Sequence, residues 1–229
     1  MRSALITGGS SGIGLAIARL LRDEGYALTI AARRPEKLAA AAAELGAHAV
    51  VVDLRDENDC ARTVAEHVER HGGLDVLVNS AGVGVGGSLE DQAVKEIDLQ
   101  LDVNLRGLIL VTRAALPYLR DSRGLVVNLA SIAGTAPVPL LPVYAATKAA
   151  VISLTHSLNA SLDADGVRVH ALCPAYVDTP MTSFTGLSGG ELIQPEDCAE
   201  VVRLLLRLSP RARIPQIVIE RLGAANQGA

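Results

Sequence analysis

The stretch Ala4-Leu5-Ile6-Thr7-Gly8-Gly9-Ser10-Ser11-Gly12-Ile13-Gly14 decides the fold. An apolar run of strand character passes straight into four glycines within seven positions, and a segment of helical period follows over 13–23. Such a turn brings bare backbone N–H groups to an anion at a helix N-terminus, where orphan donors and the helix dipole favour negative charge. Gly8 is placed for a positive φ, Gly12 for close approach of a ligand, and Gly14 for tight packing of helix on strand. Together with Ser10, Ser11 and Ile13 they form an expected cradle for the pyrophosphate of a dinucleotide. An ordinary glycine-rich turn is the competing reading, and so many glycines at the first turn of an α/β chain argue against it.

Working outward, strand-like runs rich in Val, Ile, Leu and Ala recur at 4–7, 27–32, 47–52, 76–79, 125–129, 167–172 and 216–220. Segments of helical spacing lie between them at 13–23, 36–45, 57–70, 98–119, 144–162 and 195–208. Asp53 or Asp56 is a cap for the third helix, and Pro195-Glu196-Asp197 opens the last. This alternation predicts a doubly wound parallel sheet of about seven strands, with helices on both faces and right-handed crossovers. Irregular stretches at 83–87, 135–143 and 179–194 follow strands at their carboxyl ends, where open α/β sheets place ligands.

At 229 residues the chain suits one domain over 1–222, followed by a polar tail at 223–229. Hydrophobic residues make up 49%, enough for a large core, and the stock is aliphatic, with no Trp and Phe184 as the one Phe. That filling fits a sheet covered on both faces. The net charge of −4 is interspersed, which leaves no basic stripe for nucleic acid and no polybasic segment for a membrane. Cys60, Cys173 and Cys198 are widely spaced with no CxxC pair, so they read as small core residues, neither metal ligands nor disulfides. The chain opens directly on a strand-like run, so no leader or membrane span is expected and a cytoplasmic location is.

The second strand ends Ala31-Ala32-Arg33-Arg34, with no acid before Glu36. A carboxylate here would bind ribose hydroxyls and repel a 2′-phosphate, whereas an Arg fork grips that phosphate. Arg33, with Arg34 second, therefore points to NADP(H) over NAD(H). Farther on, Tyr144-Ala145-Ala146-Thr147-Lys148 sets a phenol and an ammonium one helical turn apart. A free Tyr has a pKa near ~10. A nearby Lys⁺ favours phenolate and equips Tyr144 for proton transfer with a carbonyl or alcohol. Alone, Tyr-x-x-x-Lys more often marks a half-buried Tyr beside a solvated Lys. Ser131, thirteen residues upstream at the end of the fifth strand, and Asn104 in the preceding helix change the odds.

In these motifs, T-G-x-x-x-G-x-G included, the sequence resembles the short-chain dehydrogenase/reductase family over nearly its whole length. The resemblance implies a single-domain Rossmann fold and an Asn104–Ser131–Tyr144–Lys148 tetrad. Ser131 would polarise the carbonyl, Lys148 hold the nicotinamide ribose, and Asn104 support a proton-relaying water. Asp53-Leu54 would flank the adenine ring, and Asn79-Ser80-Ala81-Gly82 run beside the adenosine ribose. In Cys173-Pro174-Ala175-Tyr176-Val177-Asp178-Thr179, Pro174, Val177 and Thr179 would meet the nicotinamide end. Ser80 and Ala175 depart from the usual pattern, which has a second Asn and a Gly there. Ala133, Val138, Leu140, Leu141, Tyr176, Met181 and Phe184 would line an apolar substrate pocket, with 179–194 as a lid.

The reading is an NADP(H)-dependent oxidoreductase of a small carbonyl/alcohol substrate. A 3-oxoacyl-thioester reductase, a sugar-nucleotide epimerase and a non-catalytic dinucleotide-binding regulator are the rivals. The C-terminal sequence Ile217-Val218-Ile219-Glu220-Arg221-Leu222 weakens the first, and the absence of a further substrate domain weakens the second. Family resemblance and small residues Gly107, Ala114, Ala145 and Ala149 on two long helices imply a homodimer or homotetramer.

Overall fold

The computed structural model describes residues 1–187 and 189–223. Seven strands, β1 (Ser3–Thr7), β2 (Ala27–Ala32), β3 (His48–Val51), β4 (Val76–Asn79), β5 (Leu125–Leu129), β6 (Arg168–Pro174) and β7 (Gln216–Ile219), form one sheet. All pairs are parallel, in the order β3-β2-β1-β4-β5-β6-β7. Strand order turns back between β1 and β4, which opens the crevice at the carboxyl edge where such sheets bind ligands.

The helices are α1 (Gly12–Asp23), α2 (Pro35–Leu45), α3 (Glu57–His71), α4 (Val94–Leu101), α5 (Gly107–Ser122), α6 (Pro142–Ser161) and α7 (Pro195–Arg207). On one face α1, α2 and α7 enclose Ile6, Ile17, Leu21, Ile30, Val78 and Leu205. On the other, α3 and α5 pack around Leu5, Val64, Leu77, Val111, Leu119 and Val126. Successive residues of β1 thus serve opposite cores, as the pleat demands. Each fully buried Leu or Ile among them stabilises the fold by roughly 1.5–3 kcal/mol. Every residue of β1, β4 and β5 is buried, the physical cause of their predominantly apolar sequences.

Of the two caps offered for α3, Asp56 serves, accepting from the N–H groups of Asn58 (2.7 Å) and Asp59 (3.0 Å). Element limits differ from the sequence expectation in two informative places. β6 runs on to Pro174 because β7 pairs with it that far. The predicted helix at 98–119 is two helices joined by a π-helical turn at Asp102–Arg106, with α4 starting at Val94. Single π turns of this kind concentrate at functional sites, and Asn104 sits in the middle of this one. All three cysteines are free and buried. Among the described residues no helix is long and apolar enough to cross a membrane.

Candidate functional site at the carboxyl edge of the sheet

The first turn is built by backbone contact. Gly8 adopts φ +70°, and a Cβ on Gly14 would fall 2.5 Å from the Gly8 carbonyl oxygen, so α1 sits this close to β1 only without a side chain there. Ser10, Ser11, Gly12 and Ile13 are half-buried around the opening of α1. Ser11 is the N-cap residue but makes no capping hydrogen bond, and the first turn carries no acid. The positive end of α1 therefore meets the carboxyl edge without an acidic side chain in front of it. Thr179, from the segment after β6, reaches the same place: its Cγ2 would lie 3.0 Å from a Cβ on Gly12.

Beside this turn, Arg33 and Arg34 are exposed at the end of β2. Asp53 is engaged by Arg55 at 2.6 Å, and those hydrogen bonds, with a smaller effect of the Arg33 charge, hold its carboxyl down to about 2. Leu54 is buried, and its carbonyl oxygen lies 2.6 Å from where a Cβ on Gly107, at the start of α5, would be. Asn79 turns away from the edge. Its amide donates to Thr112 (3.0 Å) and Asn128 (2.9 Å) inside the core, leaving the half-buried Ser80, Ala81 and Gly82 as the side of that motif nearer the edge. The Ser80–Ala81 backbone lies directly against the glycine turn, 2.7 Å from where a Cβ of Gly8 would be.

The four polar residues singled out from the sequence do come together. Ser131 opens a short turn, Ile132–Gly134, and its Oγ accepts from the Ala133 N–H at 3.1 Å. Gly134 seats that turn on α6: a Cβ there would lie 2.7 Å from the backbone carbon of Lys148. Pro142 starts α6, where its fixed φ suits the first helical position. Tyr144 is half-buried, and Ser131 is near enough to oppose the rise of its phenol pKa. Lys148 is 4% exposed; its Nζ donates to the Leu129 carbonyl at 2.7 Å and stands 5.5 Å from the centre of the Tyr144 ring.

Burial pulls the Lys148 ammonium down to about 8. It pushes the Tyr144 phenol up, opposed by Ser131. The lowering of the phenol expected from Lys148 is not seen; the phenol shifts upward. Asn104 accepts from the Val83 N–H and donates to the Val83 carbonyl, both at 2.8 Å. It also donates to Thr147 (3.1 Å), whose hydroxyl donates to the Tyr144 carbonyl at 2.7 Å. Thr147 was not flagged by the sequence. Gly82 completes the cluster, for a Cβ there would lie 3.5 Å from Asn104 Oδ1 and 3.6 Å from Lys148 Nζ.

Around the mouth, Leu140, Tyr176 and Met181 are exposed apolar side chains, and Ala133 is buried. The side chain of Phe184 lies outside what the structure describes. Val177 is buried and bridged to Ile193, while Thr182 donates to the Val177 carbonyl at 2.6 Å. Ala175 needs no left-handed conformation: Arg123 is the sole positive-φ residue other than Gly among those described. Gly84 belongs to the site too, since its missing Cβ would lie 3.5 Å from Tyr144 Cδ2. A period-based reading passes over it as loop.

Such a crevice, with an open helix N-terminus beside a phenol, a hydroxyl and a buried ammonium, belongs to oxidoreductases that use a nicotinamide dinucleotide. The sequence pattern of the short chain dehydrogenase family matches residues 2–187, and the chain belongs to that family. It is 34% identical over 219 residues to an uncharacterized oxidoreductase of Staphylococcus epidermidis, covering 94% of this chain and 95% of that protein. Among solved structures, an alcohol dehydrogenase from Thermococcus sibiricus, complexed with 5-hydroxy-NADP, superposes with a TM-score of 0.90 at 31% identity, covering 97% of each chain. The 3-ketoacyl-(acyl-carrier-protein) reductase from Brucella melitensis, complexed with NADH, gives 0.86 at 30% identity, with 96% of each chain covered.

Proposed function

We propose that this protein interconverts a carbonyl and a secondary alcohol on a small, largely apolar substrate, using NADP(H), with Tyr144 as general acid and base. The observation that carries this reading is the buried Lys148 ammonium, 5.5 Å from the centre of the Tyr144 ring and held on the Leu129 carbonyl at the carboxyl edge. The residues present fit a dinucleotide: the α1 N-terminus has no acid in its first turn, and a Cβ on Gly8 or Gly14 would fill the cradle with clashes. When bound, the coenzyme supplies or takes up the hydride.

During reduction the Tyr144 hydroxyl donates its proton to the carbonyl oxygen, and the Ser131 hydroxyl donates a second hydrogen bond to that oxygen. Lys148, charged below pH about 8, would bind the ribose beside it, and with the coenzyme in place its charge would offset part of the cost of the buried phenolate left on Tyr144. Asn104 holds the Val83 backbone and, facing the gap at Gly82, supports the water through which Tyr144 is reprotonated. Thr179 and Val177 orient the nicotinamide end, the segment 179–194 closes over the substrate, and Leu140, Tyr176 and Met181 give the mouth its apolar character. Arg33 and Arg34, exposed where an acid would exclude it, take the 2′-phosphate.

A panel of ketones, diketones, aldehydes and 3-oxoacyl thioesters, followed by loss of NADPH or NADH absorbance, tests the reading. The expected result is ketone turnover with kcat/KM at least tenfold higher for NADPH, a margin of about 1.4 kcal/mol. Arg33→Asp then narrows or reverses that margin. Equal use of both coenzymes by the unmutated enzyme sinks the preference for NADP(H), and a best rate on thioesters moves the substrate to acyl chains. The same reading has the protein assemble as a dimer or tetramer. Ala149, Leu101 and Ile109 are exposed on α6, α4 and α5, whereas Gly107 and Ala114 are turned into their own subunit. A monomer mass of 23.8 kDa in light scattering at micromolar concentration contradicts the assembly.

A further inference from the structure

Between β4 and α4 the segment 83–87 runs without regular structure along the face of Tyr144. Irregular backbone at a site must still find partners for its polar groups. Asn104 takes both groups of Val83. Those of Val85 go to two glutamines that no part of the reaction uses. The Val85 N–H donates to Gln100 Oε1 (3.2 Å), Gln100 Nε2 donates to Gln92 Oε1 (3.3 Å), and Gln92 Nε2 donates to the Val85 carbonyl (3.4 Å). The three bonds close a ring. Gln100 uses its second N–H on the Glu96 carbonyl at 3.2 Å, and the Gly87 N–H is fixed separately by Leu140 O at 2.9 Å.

The ring has one workable sense. Val85 can only donate through its N–H, so Gln100 must present oxygen to it and nitrogen to Gln92, which then has only its own nitrogen left for the Val85 carbonyl. Gln100 is fully buried and Gln92 is 8% exposed. Burying two long carboxamides costs rotamer freedom and desolvation that a Leu at either place would avoid. Core filling therefore does not account for them. What they hold does: with Val85 fixed, Gly84 lies against the Tyr144 ring, and Gly86 lies where a Cβ would be 3.6 Å from the Leu140 carbonyl.

We propose that Gln92 and Gln100 are positioning residues, which act through the Val85 peptide to set the wall of the substrate site beside Tyr144. This rests on the ketone-reductase reading, so the test has arms that need no turnover. Gln100→Leu, Gln92→Leu and the double variant are compared with the unmutated enzyme. Val85 amide exchange is followed by NMR, together with the ring resonances of the four tyrosines, KM and kcat for an accepted ketone, and NADPH affinity.

Breaking any link opens the ring. Each single variant is expected to speed Val85 exchange about tenfold or more, shift Tyr144 but not Tyr26 or Tyr118, and raise KM about tenfold with NADPH affinity within about twofold. The double variant should match the singles, since the three bonds act as a unit. Val85 exchange unchanged in both single variants overturns the ring. Faster exchange with an unmoved Tyr144 resonance, or with KM unchanged, overturns the positioning role. Should the unmutated enzyme reduce no ketone, the reductase reading fails, while Val85 exchange and the Tyr144 shift still decide the proposal. If Gln100→Leu does not fold, Gln92→Leu, at the rim, carries the same measurements.

Discussion

Two basic side chains are buried at opposite ends of the same sheet, and burial pulls both below their ordinary pKa, Lys148 to about 8 and His67 to about 4. Their surroundings then diverge. His67 has both ring nitrogens occupied, by Thr29 Oγ1 at 2.9 Å and Ser3 Oγ at 3.2 Å, and Ser3 in turn donates to the Gly73 carbonyl. Lys148 has three donors, of which the Leu129 carbonyl takes one, and its Nζ faces the gap at Gly82 that Asn104 also borders. A buried polar group with every valence closed holds the fold together. One with a valence left over, at the carboxyl edge, is available for chemistry.

The sharpest way to break this comparison is to neutralise the ammonium. Lys148→Met removes a buried charge and fills its volume, so turnover is expected to fall about 10²–10⁴-fold while the unfolding midpoint stays close to wild type. Assays of kcat beside thermal melting check it, and a destabilised but active variant would put Lys148 in the structural class. Next in size is Gly134→Ala. Its new Cβ meets backbone at 2.7 Å, so the Ser131 turn must lift from α6. A displacement of about 1 Å costs roughly 10²-fold in kcat/KM, with about 1–3 kcal/mol of stability lost to overpacking. Normal kinetics in this variant would show that the Ser131–Tyr144 spacing does not matter.

The smallest effect on activity is expected at His67. Its folded pKa lies below the ordinary 6.5, so the unfolded chain takes up the proton first as pH falls. Stability is complete above about 6.5 and drains away toward pH 4, by on the order of 3 kcal/mol. His71 and His170, also pushed down by burial, add in the same direction. Urea midpoints at pH 7 and pH 4.5 measure the slope. His67→Gln should flatten it and leave turnover at pH 7 within about twofold; an unchanged slope would mean that His67 is not the group concerned.

Most of the fold was legible because parallel strands buried on both faces must be predominantly apolar, and β1, β2, β4 and β5 follow their apolar runs to within a residue. The break at Asp102–Arg106 was not legible. A π turn keeps the chain helical and carries neither Pro nor a cap to mark it, so α4 and α5 read as a single helix. In the site, Tyr144 and Lys148 stood out by residue type and spacing, and the family resemblance added Asn104 and Ser131. Thr147, Gln92 and Gln100 did not, because they act through the backbone of loops whose path only the tertiary structure supplies. Asn79 was visible as a motif residue, yet its side chain serves the core network with Thr112 and Asn128.

The claim on which the rest depends is that the Tyr144 hydroxyl is the proton donor and acceptor. Tyr144→Phe removes that one oxygen and leaves the ring packed against Gly84. With an accepted ketone and saturating NADPH, kcat should fall about 10²–10⁴-fold across pH 5 to 10, while NADPH affinity and the melting temperature stay near wild type. A variant that keeps more than about a tenth of wild-type turnover over that range contradicts the assignment.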